Sequence, residues 1–144
     1  GAGEGSFQGA WPIIWTHQVN APSAKAFTER FTKRWGRPPD NQAVADYLAV
    51  KILARAIQET KTVDTQKLIT YLESGVKFDV LRAREGYFRP WDHQLMFEMY
   101  TVKPVAGKAA NKWDVMETSA PVPGPNESLE VLAPTQQENA CKFS

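Results

Sequence analysis

Phe27, Phe31 and Trp35 recur every fourth residue and the run ends on Gly36, a pattern that predicts a short amphipathic helix stopped by that glycine. Ser23 stands where its cap is expected, and Lys25, Glu29, Arg30, Lys33 and Arg34 make up a solvated opposite face. A Pro38-Pro39 turn follows. A longer helix is then predicted over Asn41–Thr60, with Asp40 as its cap. Two apolar rows run along it: Ala43, Tyr47, Val50, Ala54 and Ile57, and beside them Val44, Leu48 and Ile52. Only Lys51, Arg55 and Glu59 make a polar stripe, so this helix needs packing on more than one side. Asp64 caps a predicted third helix with Leu68, Ile69 and Leu72 inward and Gly75 as its stop.

Strand signals are shorter. Gly1–Gly5 reads as a turn, and Ser6–Trp15 as a strand bearing Phe7, Trp11, Ile13 and Ile14, with Gly9 and Pro12 arguing against a regular central position. Phe78–Phe88 predicts two short strands about an Arg84-Glu85-Gly86 turn. Gln94–Val102 alternates, with Leu95, Phe97 and Met99 on one face and a mixed face of Gln94, Met96, Glu98 and Tyr100 opposite. Beyond Pro104 the pattern weakens. Pro121, Pro123, Gly124, Pro125 and Pro134 predict an extended tail wrapped over something else. Three helices, a few dissimilar strands and no βαβ alternation make an α+β inventory that leaves the long helix without a sheet to cover. On this pattern the chain is part of a larger fold.

Composition changes the picture little. The 144 residues are 42% hydrophobic, enough to bury a core. Basic and acidic side chains (17 and 16) are interspersed for a net charge of +1, which offers no stripe for nucleic acid. No apolar run reaches the roughly 18 residues of a membrane span, and no signal peptide is evident. The start at Gly1 fits a mature fragment or an engineered piece. Cys141 is the lone cysteine, so it is either a free thiol or paired with a residue on other sequence.

Several short motifs, taken in order, carry a family likeness. They are Gly3-Glu4-Gly5-Ser6-Phe7, Ala26-Phe27 through Trp35-Gly36-Arg37-Pro38-Pro39, Ala45-Asp46-Tyr47-Leu48-Ala49-Val50, Phe78-Asp79, Gly86-Tyr87-Phe88-Arg89, Asp92-His93-Gln94 and Glu138-Asn139-Ala140-Cys141-Lys142. In this order the chain resembles the carboxy-terminal portion of periplasmic solute-binding proteins of ABC importers, of the branched-chain amino acid (leucine-isoleucine-valine) type. The resemblance implies an α/β parent fold of two lobes joined by three crossing segments, the type I periplasmic binding fold, which closes over a solute. It assigns residues 1–15 to the second crossing, 16–93 to part of the amino-terminal lobe, 94–103 to the third crossing and 104–144 to the tail of the other lobe. It further implies a small-molecule solute, an ABC permease as partner, a periplasmic location, no enzymatic activity and no cofactor.

Candidate chemistry is sparse. Asn41 and Gln42 offer amide groups beside a helix amino terminus, where free N–H groups and the helix dipole suit a ligand's negative end; an ordinary helix cap explains them equally well. In the family resembled, the position matching Gln42 touches the ligand, and many relatives carry an aromatic there. Trp15 is expected to pack either in the core or, at the end of the crossing, against a solute. Asp92-His93 could suggest a hydrolase or a metal site, but the only other histidine is His17 and no ligand spacing for zinc or nucleophile motif accompanies them. Arg89, Asp92 and His93 read instead as a polar cluster at the mouth of the third crossing. Deprived of its sheet, the apolar helix also predicts a self-associating fragment, a possible homo-oligomer.

Overall fold

The computed structural model describes residues 9–107 and 109–140. The expected turn at Gly1–Gly5, the start of the Ser6–Trp15 strand and Cys141 lie outside the described residues.

Helix α1 spans Pro22–Trp35, with Pro22 in the first turn, where a missing N–H costs nothing. Its cap position is Ala21, without a side-chain bond, and not Ser23. Ser23 lies one turn position inside, where its hydroxyl donates to Asp79 Oδ1 at 2.9 Å and ties the helix to a later loop. Gly36 stops the helix as expected, at φ 68° with its N–H on Thr32 O. The apolar stripe does not stay inside: Phe27 is buried, Phe31 half-buried and Trp35 59% exposed. A four-residue step overshoots a helical turn by about 40°, so the stripe rotates off the core within two steps.

Helix α2 runs over Asn41–Thr60, and the Asp40 carboxylate caps it by accepting from the Ala43 N–H at 3.0 Å. Val44, Leu48, Ile52 and Ala56 are buried, while Tyr47 of the first predicted row stacks on Phe27 with ring centres 4.4 Å apart. That row is not covered throughout. Val50 is 70% exposed, and Leu53 beside it 47%. Helix α3, Thr65–Leu72, is capped by Asp64, which accepts from the Lys67 N–H at 3.0 Å, and it packs on α2 through buried Leu68. The helix ends at Leu72 with Glu73 as its C-cap, two residues before Gly75 takes the left-handed conformation.

The strands are β1 (Trp11–Ile13), β2 (Tyr87–Phe88), β3 (Leu95–Met96), β4 (Tyr100–Pro104) and β5 (Met116–Thr118). One antiparallel sheet has the order β1-β4-β5, with Ile13 opposite Tyr100 and Val102 opposite Thr118. The other is the β2–β3 pair. Two expectations therefore change. Phe78–Phe88 is not a hairpin of two strands: only a single Phe78–Gly86 bridge forms, and Tyr87-Phe88 pairs downstream. Gly86 suits this contact because a Cβ there would meet Met96 O at 2.7 Å. The stretch Gln94–Val102 breaks into β3 and β4, and its buried face is the mixed one, Met96, Glu98, Tyr100 and Val102. Glu98 is tolerated there because the Arg84 guanidinium donates to it at 2.8 Å.

Trp15, Phe27, Val44, Leu48, Phe78, Val80, Leu81 and Tyr100 share one core. Asp79 rivets its edge: Ser23, the Leu81 N–H and Lys51 all donate to it. Burial pushes the Asp79 carboxyl upward, but these bonds outweigh it and leave its pKa below the ordinary value. Between α2 and the β2–β3 pair lies an open apolar groove of about 360 Å³, walled by Ala45, Ala49, Leu53, Phe88, Leu95 and Phe97. The proline-rich tail does wrap. It adds β5 to β4, bridges Val122 to Met99, and forms a short 3-10 turn at Leu129–Leu132 beside β2.

Candidate functional site

A second cavity, of about 260 Å³, opens where β1 gives way to the loop before α1 and faces the amino terminus of α2. Ile13, Trp15, Pro38, Pro39, Val102 and Met116 supply apolar wall, and Trp113 adds an aromatic face. Polar groups come from His17, Gln18, Arg37, Asp40 and Asn41. Two of the three residues singled out from the sequence, Trp15 and Asn41, meet here. Gln42 does not line the cavity, and its side chain is exposed.

The two that meet share an unusual property. Trp15 is 2% exposed, yet its Nε1–H has no hydrogen-bond acceptor, and the buried Oδ1 of Asn41 has no donor. A buried polar group left unsatisfied costs of order 1–3 kcal/mol, and Thr28 Oγ1 and Trp91 Nε1 elsewhere in the chain share the property. The carboxylates nearby are already engaged. Asp40 holds the Ala43 N–H and Arg37, and the first of these bonds does most to lower its pKa. Asp114 lies 2.7 Å from His17 Nε2 and accepts from Asn111, and the His17 contact is the chief reason its pKa falls below the ordinary value. His17 thus ties the loop after β1 to the turn before β5. Gln18 adds to the tie by donating to Met116 O at 3.1 Å and accepting from Thr118 at 2.8 Å. Sequence reasoning passed over His17 and Asp114 because 97 residues separate them.

The Asp92-His93 pair sits elsewhere. Arg89 and Asp92 form the expected polar cluster; His93 acts on Asp92 through its charge, and its Nδ1 faces Glu73. Among the described residues no group of His, Cys, Asp and Glu could hold a metal ion.

Solved structures share this arrangement of elements. A periplasmic binding protein from Burkholderia mallei superposes with a TM-score of 0.78 over 94% of the chain at 24% identity. A branched-chain amino acid ABC transporter periplasmic ligand-binding protein from Burkholderia xenovorans gives 0.68 over 78% at 26% identity. An ABC-type branched-chain amino acid transporter from Rhodopseudomonas palustris gives 0.66 over 78% at 28% identity. The family profile of periplasmic binding proteins matches residues 1–109. The chain belongs to the periplasmic binding protein family. Its fold is a portion of the type I periplasmic binding fold. The chain spans 34%, 29% and 30% of the three solved chains. No curated protein matches it. Homologous periplasmic binding proteins are solute-binding proteins and not enzymes.

Proposed function

We propose that the chain is a portion of an extracytoplasmic solute receptor that binds a small polar molecule, amino acid-like or related, between two lobes and passes it to an ABC permease in the periplasm. The observation that carries this reading is the pair of unsatisfied buried groups, Trp15 Nε1 and Asn41 Oδ1, on one cavity beside a helix amino terminus. Such a place offers a donor, an acceptor and a positive helix end to a ligand bearing both kinds of polar group. On this reading β1 within residues 1–15 and β4 within residues 94–103 are two of the crossings. Residues 16–93 then belong to one lobe and 104–144 to the tail of the other. The antiparallel pairing of β1 with β4, with all three helices lying between them in sequence, supports the assignment of the two crossings. Titration of the full-length receptor with a panel of amino acids and aromatic carboxylates, followed by calorimetry, is the test. Asn41→Ala is expected to weaken the best binder about tenfold, the loss of roughly one hydrogen bond. Unchanged affinity in Gln42→Ala would remove that exposed amide from the site, and unchanged affinity in Asn41→Ala would remove the cavity.

The apolar groove favours a second reading for the chain in isolation. With Val50 and Leu53 exposed beside it, the chain by itself is expected to associate with its own copies. Sedimentation at micromolar concentration gives the answer, and a compact monomer counts against association.

A further inference from the structure

The sheet that joins β1 to β4 ends at the pair Ile13–Tyr100. Just past that pair the ladder stops, β1 running into the loop at Ile14 and Trp15, and the other strand leading back to Glu98 through Met99, which bridges to Val122. The carbonyls there are not left bare. The Arg82 guanidinium, 5% exposed, donates through Nη2 to Ile14 O, through Nε to Glu98 O at 2.9 Å, and through Nη1 to Val80 O of its own loop. Its flat face stacks over Phe97 at 4.2 Å. No carboxylate forms an ion pair with it among the described residues; Glu98 turns its own carboxylate to Arg84.

This is an unusual use of a buried cation. Burial lowers the pKa of Arg82 to about 10, still well above neutral pH, so the charge stays and is held by carbonyl dipoles and an aromatic face. A planar fork with several fixed N–H groups is suited to span three carbonyls from three chain passes, which a lysine point charge cannot do at once. We propose that Arg82 is the positioning residue of the inter-lobe hinge, a staple that ends the β1–β4 ribbon at Ile14 and Glu98 and confines bending to the far side of that pair. The proposal rests on the receptor reading above, in which β1 and β4 cross between lobes. Domain closure needs a few backbone positions that bend and neighbours that do not, and a three-carbonyl staple marks the boundary.

The test uses spin labels on the full-length receptor without solute, introduced by non-cysteine chemistry at exposed Val63 in the helical region and Val115 beside β5. Pulsed distance measurement is expected to show a narrow inter-lobe distribution in the parent and an added, shifted population in Arg82→Met, recorded well below its melting temperature. A merely structural role would lower the melting temperature and leave the distribution unchanged, and that result overturns the proposal. Should Arg82→Met not fold, Arg82→Lys decides: it keeps the charge but not the fork, so a widened distribution supports the staple and an unchanged one refutes it. Absence of binding to any solute in the panel would sink the receptor reading without moving these distances, so the two failures are distinguishable.

Discussion

Trp15→Ala is expected to destabilise the protein by about 3–5 kcal/mol, read as a lower urea midpoint at unchanged slope. The size follows from position. Trp15 is 2% exposed, meets Phe27 edge-to-face with ring centres 6.4 Å apart, and shares its core with Val44, Leu48 and Tyr100. Removing an indole there leaves a hole between the end of β1 and the two longest helices, α1 tied to Asp79 through Ser23 and α2 capped by Asp40, which resist collapsing into it. Trp15→Phe separates packing from ligand chemistry. It keeps most of the ring contact and removes only the unsatisfied Nε1–H, so stability is expected to fall little while solute affinity falls. If Trp15→Ala left the midpoint in place, the side chain would not belong to the core, and the cavity described around it would be wrong.

The helices were legible because their signals are local. Asp40, Asp64 and Gly36 act on the nearest turn, and each does what its chemistry demands. Ser23 misled for the same reason: its hydroxyl finds a better partner in Asp79, 56 residues away, which local chemistry cannot reveal. Strands suffered more. The alternation through Gln94–Val102 separated an apolar face from a mixed one without showing which is covered: Glu98 and Tyr100 are buried, and Leu95 and Phe97 line an open groove. An apolar side chain on such a groove looks like a core residue in the sequence, and only the missing neighbour distinguishes them. At the candidate site, Trp15 and Asn41 were legible from strand end and helix start, whereas His17, Asp114 and Arg82 act through contacts between distant segments.

Open apolar surface and tight polar ties divide the molecule between them. The groove along α2 is lined by side chains of the kind that elsewhere cover sheets, and it shows where hydrophobic burial is unfinished. At the β1–β4 ribbon and the tail, cohesion comes instead from arginines donating to backbone carbonyls. Arg82 does this at Ile14, Val80 and Glu98, and Arg84 at Pro123 and Glu127. Such bonds fix direction as well as proximity. On the proposed hinge reading, they suit a place where strands keep a set angle while the bodies on either side move.

Arg89→Met is accordingly expected to cost about 3–5 kcal/mol and to free the tail, because one buried cation gathers several segments. Arg89 is 1% exposed and donates to both oxygens of Asp92, to Glu130 at 3.2 Å, to Pro134 O at 3.0 Å and to Gln94 Oε1 at 3.2 Å. Methionine fills much of the stem volume but strands the Asp92 carboxylate, which burial would raise and which Arg89 is the main influence holding below its ordinary pKa. Glu130 then keeps only the Tyr87 hydroxyl, whose pKa burial and Glu130 together push up to about 12, so that it remains a neutral donor. Limited proteolysis should show the effect as new cleavage between Val122 and Pro134, a segment that the parent protects through these bonds and the Met99–Val122 bridge. Glu130→Gln is the milder partner variant, expected to lose at most about 1 kcal/mol because that side chain is 37% exposed. A tail equally resistant to protease in Arg89→Met and in the parent would mean that the Pro-rich segment is held by its own turns, and the arginine tie would have to be abandoned.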